Sequence, residues 1–157
     1  MDNTAYGSAL DFVISQYGVT PSESQVSELG NGLINSTYLV KSPNRNFVLQ
    51  KINQGVFQEA KQVIANAELI DQYLVSAKKR NEYPLSSVGQ LETINGEKSI
   101  EIGSELWRAL YFIPNCYTIE AVDSAAQASQ AATAFAQFTS ALSAFPAEEL
   151  SVIIPDF

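Results

Sequence analysis

Histidine is missing from the 157-residue sequence, and with it the usual general base at neutral pH and the commonest metal ligand. A Ser-His-Asp or Cys-His nucleophile therefore cannot be assembled within this chain. Cysteine occurs once, at Cys116, so an internal disulfide is impossible and a reducing, cytoplasmic setting is expected. Cations are scarce: nine Lys and Arg stand against seventeen Asp and Glu, a net charge of −8. That balance argues against nucleic acid as a partner, because too few cations are present to neutralise a phosphate backbone. It argues equally against a polybasic membrane contact. No apolar run approaches the roughly 20 residues of a membrane-spanning helix. The N-terminus lacks the basic-then-apolar pattern of a secretory signal. Internal repeats and low-complexity segments are also missing.

What is present is ordinary soluble-protein material, 46% hydrophobic and 17% charged, enough for one sizeable core. Residues 4–17 carry a broad apolar side (Leu10, Phe12, Val13, Ile14, Tyr17) and stop at Gly18, the pattern of a helix with a glycine C-cap. Strands are expected at about 25–30, 36–42 and 46–52, a meander turning through Ser42-Pro43-Asn44-Arg45-Asn46. Residues 55–77 read as the strongest helix, with Phe57, Ala60, Ile64, Ala67 and Leu74 at helical spacing. Lys78-Lys79-Arg80 lies at its end, where cations suit the dipole and form a solvated cap. Asn95-Gly96 between two alternating runs predicts a hairpin of Leu91–Ile94 with Lys98–Glu101. Leu106–Ile113 reads as a buried strand that ends abruptly at Pro114-Asn115. Asp123 and Ser124 then cap a second long helix to about Ala144, whose stripe of Ala128, Ala131, Phe135, Phe138, Leu142 and Phe145 is expected to pack in a core. The order is helix, three strands, helix, two or three strands, helix. That is α+β with a mainly antiparallel sheet.

The first turn of the meander carries the chemistry. Gly30-Asn31-Gly32-Leu33-Ile34-Asn35-Ser36 places two glycines in three residues, which permits positive φ and close approach of a ligand to the backbone. Successive N–H groups in such a turn can cradle phosphate oxygens. An ordinary hairpin with a glycine-containing loop accounts for the same residues.

Gly30–Tyr38, then Phe47-Val48-Leu49-Gln50-Lys51-Ile52-Asn53 with Val56-Phe57, then Trp107–Pro114, Phe135–Phe145 and Ile153-Ile154-Pro155-Asp156-Phe157 occur in a telling order. Together they span residues 26–157 and resemble the kinase-like small lobe of the aminoglycoside phosphotransferase and choline kinase superfamily. Within it they resemble the branch containing N-acetylhexosamine 1-kinases. The resemblance implies a nucleotide-binding lobe over residues 1–113, with a long packing helix, followed by a hinge and the first helix of a large lobe over 114–157. It implies ATP and Mg²⁺ in the full-length parent, and a small polar acceptor. The backbone of Gly30, Asn31 and Gly32 onward would cover the phosphates, with Asn35 and Ser36 lending side chains. Val48 would contact adenine, and adenine would pair with the Tyr111 carbonyl and the Ile113 N–H. Pro114 has no N–H, so Ile113 is the last donor before the turn.

Departures from the family pattern are equally specific. Kinases hold the α- and β-phosphates with a third-strand lysine. The matching position here is Gln50, with Lys51 beside it. Side chains alternate along a strand, so Gln50 shares the face of Val48 and Lys51 does not. Glu68 or Asn66 on the long helix are candidate partners for this position, and ordinary surface placement fits both. The catalytic loop and the metal-binding acids of such enzymes would lie beyond Phe157, so this chain is expected to be a truncated piece, inactive alone, with no catalytic or metal residue of its own. An adaptor or binding module that kept the lobe without the chemistry is the alternative. Sulfate-ester hydrolysis is disfavoured, because Cys116 is followed by Tyr117-Thr118-Ile119-Glu120 and not by the Cys-x-Pro-x-Arg of sulfatases. Cys116 itself is expected to be a packed thiol near the hinge. With a large lobe absent, the 124–144 helix would expose apolar surface, and self-association through it is a further expectation.

Overall fold

The computed structural model describes residues 7–30, 32, 34–117, 119 and 121–154. A first helix, α1 (Gly7–Ser15), is followed by a three-strand meander, β1 (Gln25–Glu28), β2 (Ser36–Lys41) and β3 (Asn46–Ile52). The long helix α2 (Ala60–Lys79) comes next, then β4 (Gln90–Leu91), β5 (Ile100–Ile102), β6 (Glu105–Tyr111) and α3 (Ala125–Ala141). The strands form one six-stranded antiparallel sheet in the order β1-β2-β3-β6-β4, with β5 also pairing β6. This is the expected α+β class.

Register follows from alternation. Phe47 and Leu49 on β3 pair Tyr111 and Ala109 on β6, while Val48 and Gln50 pair Leu110 and Arg108. Odd-numbered residues of β3 therefore point to one face and even-numbered residues to the other. The first face is sealed. Val40, Phe47, Leu49, Trp107 and Ala109 meet Val13, Ile14 and Tyr17 of α1 in the main core. Tyr17 and Phe47 meet with ring centroids 5.5 Å apart and planes tilted by 44°. The chain leaves α1 through Gly18, whose φ of +71° is the left-handed conformation a helix stop requires.

The opposite face is covered only in part. Ile52 and Leu106 pack under Ala60 and Ile64 of α2. The buried Gln90 fastens α2 to the sheet by donating to the Ile64 carbonyl at 2.9 Å. Helix α2 begins at Ala60, five residues later than the expected 55. Asn53 takes the intervening chain into a turn: its carbonyl accepts from Val56 and Phe57, and its side-chain oxygen accepts from Gly55 at 3.0 Å. The helix ends as expected in Lys78 and Lys79 with Arg80 as C-cap, and Asn81 at φ 61° turns the chain away.

Two expectations are corrected. The Asn95-Gly96 turn is present, with Gly96 at φ 82°, but its flanking runs do not form a hairpin ladder with each other. The Thr93 hydroxyl accepts from the N–H groups of Asn95 and Glu97 and closes the turn locally. Both runs then lie along β6: Leu91 pairs Ala109, and Ile100 pairs Trp107. The tight hairpin is β5–β6, through Gly103 at φ 59°. Burying two short strands against the apolar edge of β6 yields more than pairing them with each other.

The second correction concerns core packing of the α3 stripe; the exposure of apolar surface also expected of this helix is observed. Ser124 caps it as expected, accepting from the Gln127 N–H at 3.3 Å, but no residue of α3 is buried. Its C-terminal end leans on α2, where Phe138, Ala141 and Leu142 pack against Leu74, Ala77 and Tyr83. Phe145 meets Tyr73 edge-on at 5.2 Å. Phe135 stands 73% exposed. One helix side touching one neighbouring helix cannot enclose a stripe that wide.

The two cores differ in what a truncation costs. Phe47→Ala removes a fully buried ring and is expected to destabilise the fold by about 3–5 kcal/mol. Phe135→Ala is expected to change stability by less than about 0.5 kcal/mol. Urea midpoints of the two variants check both values.

Candidate nucleotide site

Where α2 leaves it uncovered, the second sheet face carries two cross-strand rows. Leu39, Val48 and Leu110 form an apolar row, and Thr37, Gln50 and Arg108 form a polar row beside it. All six are only half-buried, in contrast to the sealed face, where Phe47, Leu49 and Ala109 are fully buried. An incompletely covered apolar row bordered by convergent polar groups has the chemistry of a small-molecule site.

The polar row is tied together. The Gln50 side-chain oxygen accepts from Arg108 Nε at 3.0 Å and from Arg108 Nη2 at 2.8 Å. The Gln50 amide nitrogen donates to the Thr37 hydroxyl at 3.3 Å. Burial pulls the Arg108 guanidinium below its ordinary value. Among the described residues no carboxylate comes within ion-pair distance of it.

Lys51 points the other way, as alternation requires. It pairs with Glu105 at 3.0 Å and lies 5.6 Å from the Trp107 ring centroid. The Trp107 indole N–H donates to the second Glu105 oxygen at 3.1 Å. Glu105 is held below the usual carboxylate range, chiefly by its hydrogen bond from Lys51, with burial opposing. Neither helix candidate reaches Gln50 or Lys51. Glu68 pairs with Lys98 at 3.0 Å, and Asn66 exchanges hydrogen bonds with the backbone of Ser151 at 2.8 and 3.0 Å.

The glycine turn borders the polar row. Gly30 has a φ of +74°. A Cβ on Gly32 would stand 2.9 Å from the Asn35 carbonyl, so the turn is too tight there for a side chain. Gly30, Gly32, Asn35, Ser36 and Thr37 line a polar depression of about 160 Å³, with Glu28 on its rim. Asn31 lies outside the described residues. The Asn35 side chain is engaged: its oxygen accepts from the Asn53 N–H at 2.9 Å, and the Asn53 amide donates to the Ile34 carbonyl at 3.0 Å. This clasp anchors the turn to the end of β3. Ser36 remains exposed at the mouth.

The expected hinge follows β6. The Tyr111 N–H donates to the Gly89 carbonyl at 3.0 Å, so the Tyr111 carbonyl also points to that strand edge. The Ile113 N–H has no hydrogen-bond partner among the described residues. Asn115, at φ 57°, turns the chain back. Cys116 is exposed and not packed as expected; the turn brings its thiol over the Ile113 carbonyl, to which it donates at 3.0 Å.

Among the described residues no group of three or more His, Cys, Asp or Glu side chains is placed to hold a metal. No helix among them is long and apolar enough to cross a membrane. Among the described residues the open face therefore offers a donor-rich row, an apolar row and, past β6, an Ile113 N–H without a partner, groups whose chemistry fits a nucleotide, but no acidic cluster of the kind that holds Mg²⁺.

No protein-family model matches the chain. Among solved structures, it is similar to a microcompartment-associated aminopropanol kinase, with a TM-score of 0.50 and 13% identity over 69% of this chain and 32% of that one. It is similar also to the spectinomycin phosphotransferase APH(9)-Ia in complex with ADP and spectinomycin, with a TM-score of 0.50 and 12% identity over 82% of this chain and 36% of that one. The fold is thus that of kinase-like small-molecule phosphotransferases. The chain matches about a third of the length of each.

Sequence reasoning placed Gln50 on the open face but missed Arg108. The strand alternation that places Val48 and Gln50 together also applies to Arg108 and Leu110, but only the β3–β6 register reveals the pairing.

The Lys51–Glu105 pair yields a pH prediction. A carboxyl whose folded pKa is depressed contributes stability above its unfolded pKa, and that contribution is lost as pH falls through the folded value. Glu105→Gln is expected to cost less than about 1 kcal/mol at neutral pH, since the pair is partly exposed. The difference from the unmodified chain should vanish below the carboxylate range. Urea unfolding across pH checks the sign.

Proposed function

We propose that this chain is the nucleotide-binding lobe of a phosphotransferase that moves the γ-phosphate of ATP to a hydroxyl of a small polar acceptor, releasing ADP. The observation that carries the reading is the half-open sheet face. Its apolar row of Leu39, Val48 and Leu110 offers a surface for adenine, and its polar row of Thr37, Gln50 and Arg108 lies next to it. The glycine turn bounds one end, and the partnerless Ile113 N–H lies past the other. The roles are then Val48 against the adenine face, the Tyr111 carbonyl and Ile113 N–H on its edge, and Gly30–Ser36 over the phosphates. ADP in the spectinomycin phosphotransferase of the same fold supports a nucleotide ligand.

The acceptor we assign is an N-acetylhexosamine. It is supported by the resemblance of Gly30–Tyr38, Leu49–Asn53 and Trp107–Pro114 to that branch of kinases. On this reading the catalytic base and the metal-binding acids would be supplied outside residues 1–157; that the chain matches only about a third of each similar structure supports it. Phosphoryl transfer depends on positioning and electrostatic stabilisation by such groups. The 157-residue chain alone is therefore a binding lobe without turnover.

Two measurements test this. Amide shifts on adding ATP to the 157-residue chain are expected at Gly30–Ser36, Val48–Gln50 and Tyr111–Asn115, with weak affinity because half the cleft walls belong elsewhere. Shifts confined to Lys78–Arg80 would mean simple charge attraction and would reject the site. For the full-length protein, ADP release is measured over a panel of acceptors. Activity with N-acetylhexosamines is expected. Activity only with choline, homoserine or aminoglycosides would reject the sugar assignment. Inactivity with all, despite ATP binding, would favour an adaptor.

A further inference from the structure

The nine cations of this chain fall into three groups. Lys51, Lys61, Arg80 and Lys98 are paired with carboxylates. Lys41, Arg45, Lys78 and Lys79 are exposed. Arg108 alone is half-buried with no carboxylate partner among the described residues. In a chain with an excess of eight acidic charges, leaving the most enclosed guanidinium without a counter-ion costs stability unless an anion supplies one.

The surroundings of Arg108 fix its direction. Gln50 accepts from both Nε and Nη2, and Thr37 in turn receives the Gln50 amide, so the carboxamide cannot rotate without losing all three bonds. A guanidinium carries five N–H donors, and these contacts engage the Nε–H and one side of Nη2. The remaining donors have no protein acceptor among the described residues. Arg108 lies two residues from Leu110 along β6, about 7 Å from the apolar row at strand rise. Thr37, two bonds further along the chain of contacts, is the second residue of the strand that leaves the glycine turn. An anionic group joined to a flat apolar ring seated on Leu39, Val48 and Leu110 would fall within reach of this fork.

We propose that Arg108 is the phosphate-binding cation of this lobe, standing in for the third-strand lysine that kinases use, and that Gln50 is its positioning residue. The inference rests on the nucleotide-binding reading above. It explains why a neutral carboxamide occupies the third-strand position: a lysine at 50 would set two cations side by side, whereas glutamine accepts from Arg108. It also explains why Glu68 pairs with Lys98 and not with β3. A helix carboxylate near Arg108 would neutralise it before a phosphate arrived. Lys51 is disqualified by its place on the sealed face and by Glu105.

The test separates phosphate from nucleoside. ADP and adenosine are titrated, without metal, into the 157-residue chain and its variants, and amide shifts give the affinities. Charge-assisted hydrogen bonds of this kind correspond to roughly tenfold to a hundredfold in affinity. Arg108→Met is expected to weaken ADP by at least about tenfold and to leave adenosine within about twofold. Arg108→Lys, which keeps the charge and loses the fork, should fall between. Gln50→Ala, which keeps Arg108 and frees it, should weaken ADP severalfold with adenosine unchanged.

Equal weakening of ADP and adenosine in these variants would make the role structural and overturn the proposal. So would unchanged ADP binding in Arg108→Met. Should Arg108→Met fail to fold, the side-chain Nε resonance of Arg108 in the unmodified chain decides. It should shift with ADP and with pyrophosphate and stay fixed with adenosine; no shift with either phosphate compound overturns the assignment. If the unmodified chain binds neither ADP nor adenosine, the nucleotide reading itself falls and this inference falls with it. If ADP binds and only the Arg108 arms fail, the nucleotide reading stands without it.

Discussion

The pairing of β3 with β6 is the constraint on which the rest of this structure depends. Six residue pairs, from Phe47 with Tyr111 to Ile52 with Leu106, fix the register of the sheet's two central strands. Because the side-chain period along a strand is two, that one register decides three things together. It aligns Phe47, Leu49, Trp107 and Ala109 toward α1 and so builds the main core. It sets Ile52 beside Leu106 under α2 and so positions the long helix. It also places Gln50 beside Arg108. A slip of one residue would put Phe47 on the same face as Arg108, so that either Arg108 would be buried against α1 or Phe47 would be exposed.

Unequal coverage of the two faces turns this scaffold into a candidate site. Helix α1 seals one face, while α2 covers only part of the other, packing on Ile52 and Leu106 and tied to β4 through Gln90 and the Ile64 carbonyl. The uncovered portion keeps half-buried aliphatic side chains next to a hydrogen-bonded polar row. Desolvation without a paired carboxylate lowers the Arg108 pKa, yet the group stays charged at neutral pH. Low local dielectric strengthens whatever anion it meets. The same economy appears at the glycine turn, where Asn53 and Asn35 clasp the loop to β3 and leave Ser36 open.

Helix α3 shows the opposite situation, an apolar stripe without a matching partner. Phe138 and Leu142 lean on α2, and Phe135 remains in solvent. The chain aligns with about a third of the aminopropanol kinase and of the spectinomycin phosphotransferase that share its fold.

Local patterns in the sequence determined the class, the meander, the two long helices, the basic end of α2 and the Ser124 cap of α3, because these follow from short-range periodicity and terminal residues. The face shared by Val48 and Gln50 was legible for the same reason. The strand partners were not. Asn95-Gly96 marks a turn, but whether its flanks pair with each other or with β6 depends on which edge is free and apolar, a property of the assembled sheet. The packing of α3 depends likewise on how much surface its neighbours offer. Arg108 is the clearest case. Its neighbours in sequence, Trp107 and Ala109, mark a buried strand and say nothing of charge pairing. Its partner lies 58 residues away, and only the register of β3 against β6 brings the guanidinium to the Gln50 carboxamide, with no carboxylate of the described residues within ion-pair distance.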